Sequence, residues 1–248
     1  MKIQITHDTS LILYNNILVI DIYTFSTTAS ILLGKEPKRL YALAWGAEEV
    51  FILQEKLNQS EETFLLIDDS IQNRDEKKLR INGHPLPIYY YNKVFWKKYN
   101  EYSILYRSTN WTQSIHKSYK NDRNIFIWSL VNFSTTIEYL KRNVAEITLL
   151  VCGSKGIPNS DDLMCAQYYE HFLSGNFDPE KKFLKKLIRA MILSQWDGDF
   201  FERYIDTPYG SLLWFNLQVD LVPWVVKISP TKIYNSEAYL ISKIPYEW

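Results

Sequence analysis

Ile17–Leu33 reads ILVIDIYTFSTTASILL. Four branched or large apolar residues, Ile17 to Ile20, run straight into an acid, Asp21. A hydroxyl cluster follows (Thr24, Ser26, Thr27, Thr28) before Ala29–Leu33 turns apolar again. A short, solid apolar run is the pattern of a strand buried on both faces. The hydroxyls mark the loop and N-cap that open a helix. This puts Asp21 at the carboxyl end of a central strand beside a helix N-terminus, where open α/β sheets bind ligands. The alternative is purely structural: Asp21 closes a turn and Ser26 caps the helix.

The same grammar recurs on both sides of this stretch. Residues 2–14 carry strand patterning at Ile3, Ile5 and Leu11 to Leu13, with a turn near His7–Ser10. Arg39–Ala44 and Thr63–Ile67 are predicted strands, the latter ending at Asp68 and Asp69, with a predicted helix over Gly46–Asn58 between them. Residues 70–82 are a polar loop, and Pro85–Tyr91 is an edge strand, the position proline tolerates. Three strand–loop–helix units follow: Tyr102–Tyr106 into Thr112–Tyr119, Asn124–Trp128 into Ser134–Asn143, and Ile147–Cys152 into Asp161–Leu173. Each time, small hydroxyl, amide or acidic groups sit where the strand ends. Asp178-Pro179 opens a further helix, with Leu184, Leu187 and Ile188 on its buried stripe and Lys182, Lys185, Lys186 and Arg189 on its solvated face. Leu217–Ile228, interrupted at Pro223, and Ala238–Ile244 are the last strands. Repeated βα units predict a three-layer α/β/α fold around a mixed sheet, one domain over 1–248 with pseudo-halves near 1–100 and 101–248.

Composition narrows the function classes. The 28 basic and 28 acidic residues cancel, so neither nucleic acid nor an anionic membrane surface is an expected partner. Aromatics reach 15%, with 18 Tyr and 8 Trp, enough for a large core and some exposed aromatic surface. Cys152 and Cys165 lie among apolar residues and in no metal spacing, so they read as buried free thiols. The sequons at Asn58, Asn110 and Asn132 read as accidental, because the opening MKIQITHDTSLILYNN lacks a signal-peptide core. No apolar run approaches the ~18 residues of a membrane span. A cytoplasmic protein is the expectation.

Read together, the loops resemble the 2-phosphosulfolactate phosphatase family of coenzyme M biosynthesis, in register from about Ile17 to Val225. The first block is Asp21-Ile22-Tyr23-Thr24-Phe25-Ser26-Thr27; a second is Ser108-Thr109-Asn110-Trp111-Thr112; a Ser-x-x-Asn block spans Ser129 to Asn132. Cys152-Gly153-Ser154-Lys155-Gly156, the acids Asp161 and Asp162, Thr207–Gly210 and Val222-Pro223 complete the series. The resemblance implies an α/β fold and Mg²⁺-dependent hydrolysis of a phosphate monoester. It implies Asp21, Asp161 and Asp162 as catalytic, the same three with Asp69 as Mg²⁺ ligands, and Ser26, Thr27, Ser108, Thr109, Asn110, Ser129, Asn132 and Lys155 as substrate-binding groups. Mg²⁺ takes oxygen ligands and keeps several waters, so two or three carboxylates suffice.

The chain also departs from the family pattern. Thr24 stands where the family carries arginine, Asp68-Asp69-Ser70 replaces a Gly-Glu-Arg run, and the family's glycine-rich loop has no counterpart in residues 70–90. Trp111 replaces a glycine, Lys155 stands where an acid is common, and Gln167 replaces another glycine. Each lost guanidinium contact is worth roughly 1.5–3 kcal/mol, so two would weaken a dianion on the order of a hundredfold. Two functions follow. One is a phosphatase-like hydrolase with a changed small acidic substrate. The other is a catalytically degenerate relative that binds a metabolite or docks a protein partner as an accessory in a biosynthetic pathway. Either is compatible with a homodimer.

Overall fold

A computed structural model describes residues 1–21, 25–43, 64–68, 80–81, 99–108, 111–119, 122–153, 157–176, 182, 184–189, 217–233 and 236–245. In chain order these form β1 (Lys2–Thr6), β2 (Asn16–Ile20), α1 (Phe25–Leu33), β3 (Arg39–Leu43), β4 (Phe64–Asp68), β5 (Arg80–Ile81), β6 (Ser103–Arg107), α2 (Trp111–Ser118), β7 (Asn124–Trp128), α3 (Phe133–Asn143), β8 (Glu146–Val151), α4 (Ser160–Leu173), β9 (Trp224–Ile233) and β10 (Ser236–Pro245). Residues 182 and 184–189 are also helical. The expected helix over Gly46–Asn58 and edge strand over Pro85–Tyr91 lie outside the described residues.

Among the described residues, ten strands make one mixed sheet in the order β1-β8-β2-β7-β9-β10-β3-β6-β4-β5. β1, β8, β2 and β7 form a parallel block, and β3, β6, β4 and β5 form another. The β9–β10 hairpin lies between them and pairs antiparallel with β7 on one side and β3 on the other. Three antiparallel steps in succession make the two blocks run in opposite directions. Each block draws strands from both sides of residue 100.

The Ile17–Ile20 run behaves as its composition requires. All four side chains are fully buried, with Ile17 and Val19 in one core and Leu18 and Ile20 in the other. The first core holds α1 and α2 against one face of the sheet, and the second holds α3 and α4 against the opposite face. That is the three-layer α/β/α arrangement. Among the described residues, no helix is long and apolar enough to cross a membrane.

Three local expectations are corrected. Leu11–Leu13 is not strand. Asp8 caps a 3₁₀ turn at Thr9–Leu11, and the Gln4 amide then takes over the backbone of the next residues, donating to Leu11 O (2.7 Å) and accepting from Leu13 N (3.0 Å). Residues 217–223 are not strand either. Asp220 N and Val222 N bond to Leu130 O and Val131 O, so this backbone is spent on the turn after β7, and β9 begins only past Pro223. Thirdly, Ser26 lies within α1, so it is not the helix cap, and every described residue of the helix from Phe25 to Leu33 is buried.

Candidate functional site

Ile20 of β2 is in register with Trp128 of β7 and Val151 of β8. The next residue on each strand is therefore Asp21, Ser129 and Cys152, and the three stand abreast at the carboxyl edge of adjacent strands. Neighbouring strands are about 4.8 Å apart. The ladder continues one step past β8, with Cys152 N donating to Ile20 O at 3.1 Å.

The turn after β8 brings a second acid to this edge. Gly153 has φ +64, and a β-carbon there would meet Ile157 O at 2.0 Å. Only glycine fits such a bend. Its N–H donates to Asp162 Oδ2 at 3.1 Å, which holds the first turn of α4 against the end of β8. Asp161 and Asp162 also lie where a helix dipole favours negative charge. Asp21, Asp161 and Asp162 are 7%, 5% and 3% exposed.

Electrostatics report the same convergence. Burial pushes the Cys152 thiol well above its usual range, and the charges of Asp21 and Asp162 push it further, while a Ser114 hydrogen bond acts the other way. Cys165 is raised first by burial, then by Asp162 and Asp161. Asp21 and Asp162, far apart in sequence, thus act on one thiol.

Ser114 belongs to α2, which follows β6 of the opposite block. Adjacent strands twist by roughly 20–25°. Over the five steps from β2 to β6, that turns two opposed directions toward a crossing. The contact itself is aromatic: Phe25 at the start of α1 stacks on Tyr106 of β6 (4.3 Å between centroids) and on Trp111 of α2 (3.6 Å). Trp111 is fully buried, so its indole packs rather than offering an exposed platform.

On the β7 side, Asn132 Oδ1 accepts from Ser129 N (3.1 Å) and Ser129 Oγ (3.3 Å). Ser129 Oγ lies 3.5 Å from Ser30 Oγ, which also donates to Ser26 O. Asn132 is fully buried, consistent with an accidental sequon. Among the described residues, Ser26 Oγ, Thr27 Oγ1, Trp111 Nε1, Trp128 Nε1 and Asn132 Nδ2 are buried without a hydrogen-bond partner. Leaving such a group buried and unbonded costs about 1–3 kcal/mol.

Of the residues singled out from sequence, the structure gathers Asp21, Ser26, Thr27, Ser129, Asn132, Asp161 and Asp162 on contacting segments. Ser108 is buried just after β6, two residues past Tyr106. Asp69, Thr109, Asn110 and Lys155 lie outside the described residues. Sequence reasoning missed Ser114 and Ser30 as neighbours of this edge, since a helical serine carries no local signal. It read Cys152 as a buried free thiol and as the first residue of the Cys152–Gly156 block, without a role at the site. Among the described residues, no group of three or more His, Cys, Asp or Glu side chains could hold a metal unaided. Oxygen-only donors at the end of a buried strand still suit Mg²⁺, which needs one or two carboxylates and keeps its waters.

A three-layer α/β protein with buried carboxylates and hydroxyls at the carboxyl ends of parallel strands is, as a class, a ligand-binding α/β domain. Residues 4–203 match the family model described as 2-phosphosulpholactate phosphatase, and the chain belongs to that family. It is similar to a probable 2-phosphosulfolactate phosphatase of Clostridium perfringens strain SM101, 26% identical over 145 residues covering 56% of this chain and 57% of the relative. A second such protein, from Clostridium perfringens strain 13, is 26% identical over 133 residues, covering 51% and 52%. The chain thus spans about half the length of the curated relatives it matches.

Proposed function

We propose that this protein is a Mg²⁺-dependent phosphomonoester hydrolase acting on a small acidic substrate that differs from the one its family is named for. The observation that carries the reading is geometric: Asp21 and Cys152 end adjacent parallel strands, and the next residue, Gly153, donates its N–H to Asp162 at 3.1 Å, so the two acids share one sheet edge. Asp21 and Asp162 would each offer the metal a carboxylate, with waters completing its shell; Asp161 is a further candidate, and so is Asp69, outside the described residues. When bound, Mg²⁺ neutralises phosphoryl charge and lowers the pKa of water. The backbone N–H groups of the first turn of α1 favour an anion. Ser26, Thr27, Ser108, Thr109, Asn110, Ser129, Asn132 and Lys155 are the proposed substrate-positioning groups. The changed substrate is argued from Thr24 and Trp111, which stand where the resemblance leads one to expect arginine and glycine.

The test is phosphate release from a panel of phosphorylated 2-hydroxyacids, with and without a sulfonate, in Mg²⁺ and in EDTA. Turnover should require Mg²⁺, and Asp21→Asn or Asp162→Asn should lower it by about a hundredfold or more, as loss of a metal ligand does. No release from any member of the panel would overturn the proposal. A second reading, a relative that binds a metabolite without hydrolysing it, draws on the Trp111 indole filling space against Phe25; ligand binding without turnover is its signature.

A further inference from the structure

We infer that the cleft between the end of α1 and the start of β9 is a binding site for a small carboxylate with a flat apolar body, its charge met by the Lys35 ammonium and its body by the Trp224 indole. The site does not depend on the phosphatase reading: among the described residues, the cleft shares no lining residue with the carboxylate edge. It holds about 490 Å³, within the roughly 300–1,000 Å³ of small-molecule pockets. Three segments build its walls. α1 and the turn after it supply Ile31, Gly34 and Lys35; the chain before β9 supplies Gln218, Leu221 and Val222; Trp224 opens β9.

These walls are fixed before any ligand arrives. The Trp224 indole N–H donates to Ser30 O at 3.1 Å, and Lys243 Nζ sits 5.4 Å over its ring, within cation–π range. A β-carbon at Gly34 would come within 2.8 Å of the indole edge, so the glycine lets the ring lie against the helix end. Leu221 and Val222 are held by the bonds of Asp220 N and Val222 N to Leu130 O and Val131 O. A preformed wall spares a ligand the cost of ordering it. The chemistry of the lining then selects the ligand. Ile31, Val222 and the indole offer apolar contact, and Leu221 at the lip is 47% exposed, leaving surface for an occupant to cover. Lys35 is the cation of the lining, and burial pulls its pKa below the usual lysine value, a penalty that an adjacent anion relieves. One ammonium matches one carboxylate, whereas a phosphate dianion calls for more donors in a fixed array.

The experiment titrates phenylacetate, and separately its neutral amide phenylacetamide, into the ¹⁵N-labelled full chain and follows the tryptophan indole N–H resonances, Trp224 being assigned by its loss in Trp224→Phe. Phenylacetate should move the Trp224 resonance in a saturable way with a Kd of about 1 mM or tighter. Phenylacetamide should bind about fivefold more weakly, the scale of one partly exposed ion pair. Lys35→Gln should abolish this preference for the acid while the amide still binds, and Leu221→Glu should weaken the acid more than the amide. Both positions are partly exposed, so these two variants decide the matter should Trp224→Phe fold poorly, the affinities then being read from whichever indole resonance shifts. No saturable shift, equal affinity for acid and amide, or an unchanged preference in Lys35→Gln would each overturn the inference.

Discussion

Gly153 shows how much one residue carries here. Its N–H ties the end of β8 to Asp162, and its positive φ and the nearby Ile157 carbonyl leave no room for a β-carbon. Gly153→Ala should therefore cost about 2 kcal/mol or more in stability, because a side chain is forced into a left-handed bend against backbone. It should also lower activity beyond that loss, since Asp162 would lose its anchor. Urea titration, with turnover measured well below the transition, checks both; an unchanged urea midpoint would show that the loop relaxes. The glycine was visible in the sequence as part of Cys152-Gly153. That it positions an aspartate nine residues away was not, because the bond depends on where α4 docks.

At the scale of elements, α1 and α3 are finished by residues far away in sequence. The last turn of α1 tightens, with Gly34 N, Lys35 N and Glu36 N bonding three residues back to Ile31, Leu32 and Leu33. That leaves Ser30 O to the Trp224 indole, which donates to it at 3.1 Å. At the start of α3, Asp220 accepts from both Ser134 N and Ser134 Oγ at 2.7 Å, acting as a tertiary cap for an end that local side chains do not cap. Asp220 itself has φ +57. Asp220→Ala should destabilise the protein by about 1–2 kcal/mol, losing the cap and placing alanine at positive φ. Asp220→Gly should cost less, because the backbone strain is relieved. Equal urea midpoints for the two variants would contradict this division. Helix positions could be read from periodicity, since α3 and α4 follow the predicted spans to within a residue or so at each end. Their caps could not, because Asp220 is 86 residues from Ser134.

The molecule as a whole carries a thiol in each main core, Cys152 in one and Cys165 in the other. Burial holds both well above a thiol's usual range, with the nearby aspartates pushing them further. Tyr239, on the joining hairpin, is pushed up to about 12, first by burial. It also ties α2 to β10 through a 2.9 Å bond between its hydroxyl and His116 Nδ1. Folded thiols stay protonated where unfolded ones ionise, so above about pH 9 the unfolded chain binds fewer protons and stability falls as pH rises. The contribution is fully present below the unfolded thiol value. Each thiol should steepen the loss toward about 1.4 kcal/mol per pH unit. Urea midpoints from pH 7.5 to 10 should fall, and the fall should be shallower in Cys152→Ala and Cys165→Ala. A flat profile in the unmodified protein would contradict the burial of the thiols.

The sequence by itself settled the local events. The solid Ile17–Ile20 run reads as a strand covered on both faces, and the acids in the first turn of α4 and the apolar run Ile125–Trp128 placed those elements, because apolar pattern and helix-end chemistry act within a few residues. The tertiary structure decided the rest. It put the β9–β10 hairpin, which lies beyond the matched residues 4–203, in the middle of the sheet and reversed one parallel block against the other. It brought Ser114 from the far block to the thiol near two aspartates, and it left the Trp111 N–H without a partner among the described residues. Which strands become neighbours, and which buried donors go unmet, depends on how the whole chain packs, and no local window of sequence contains that information.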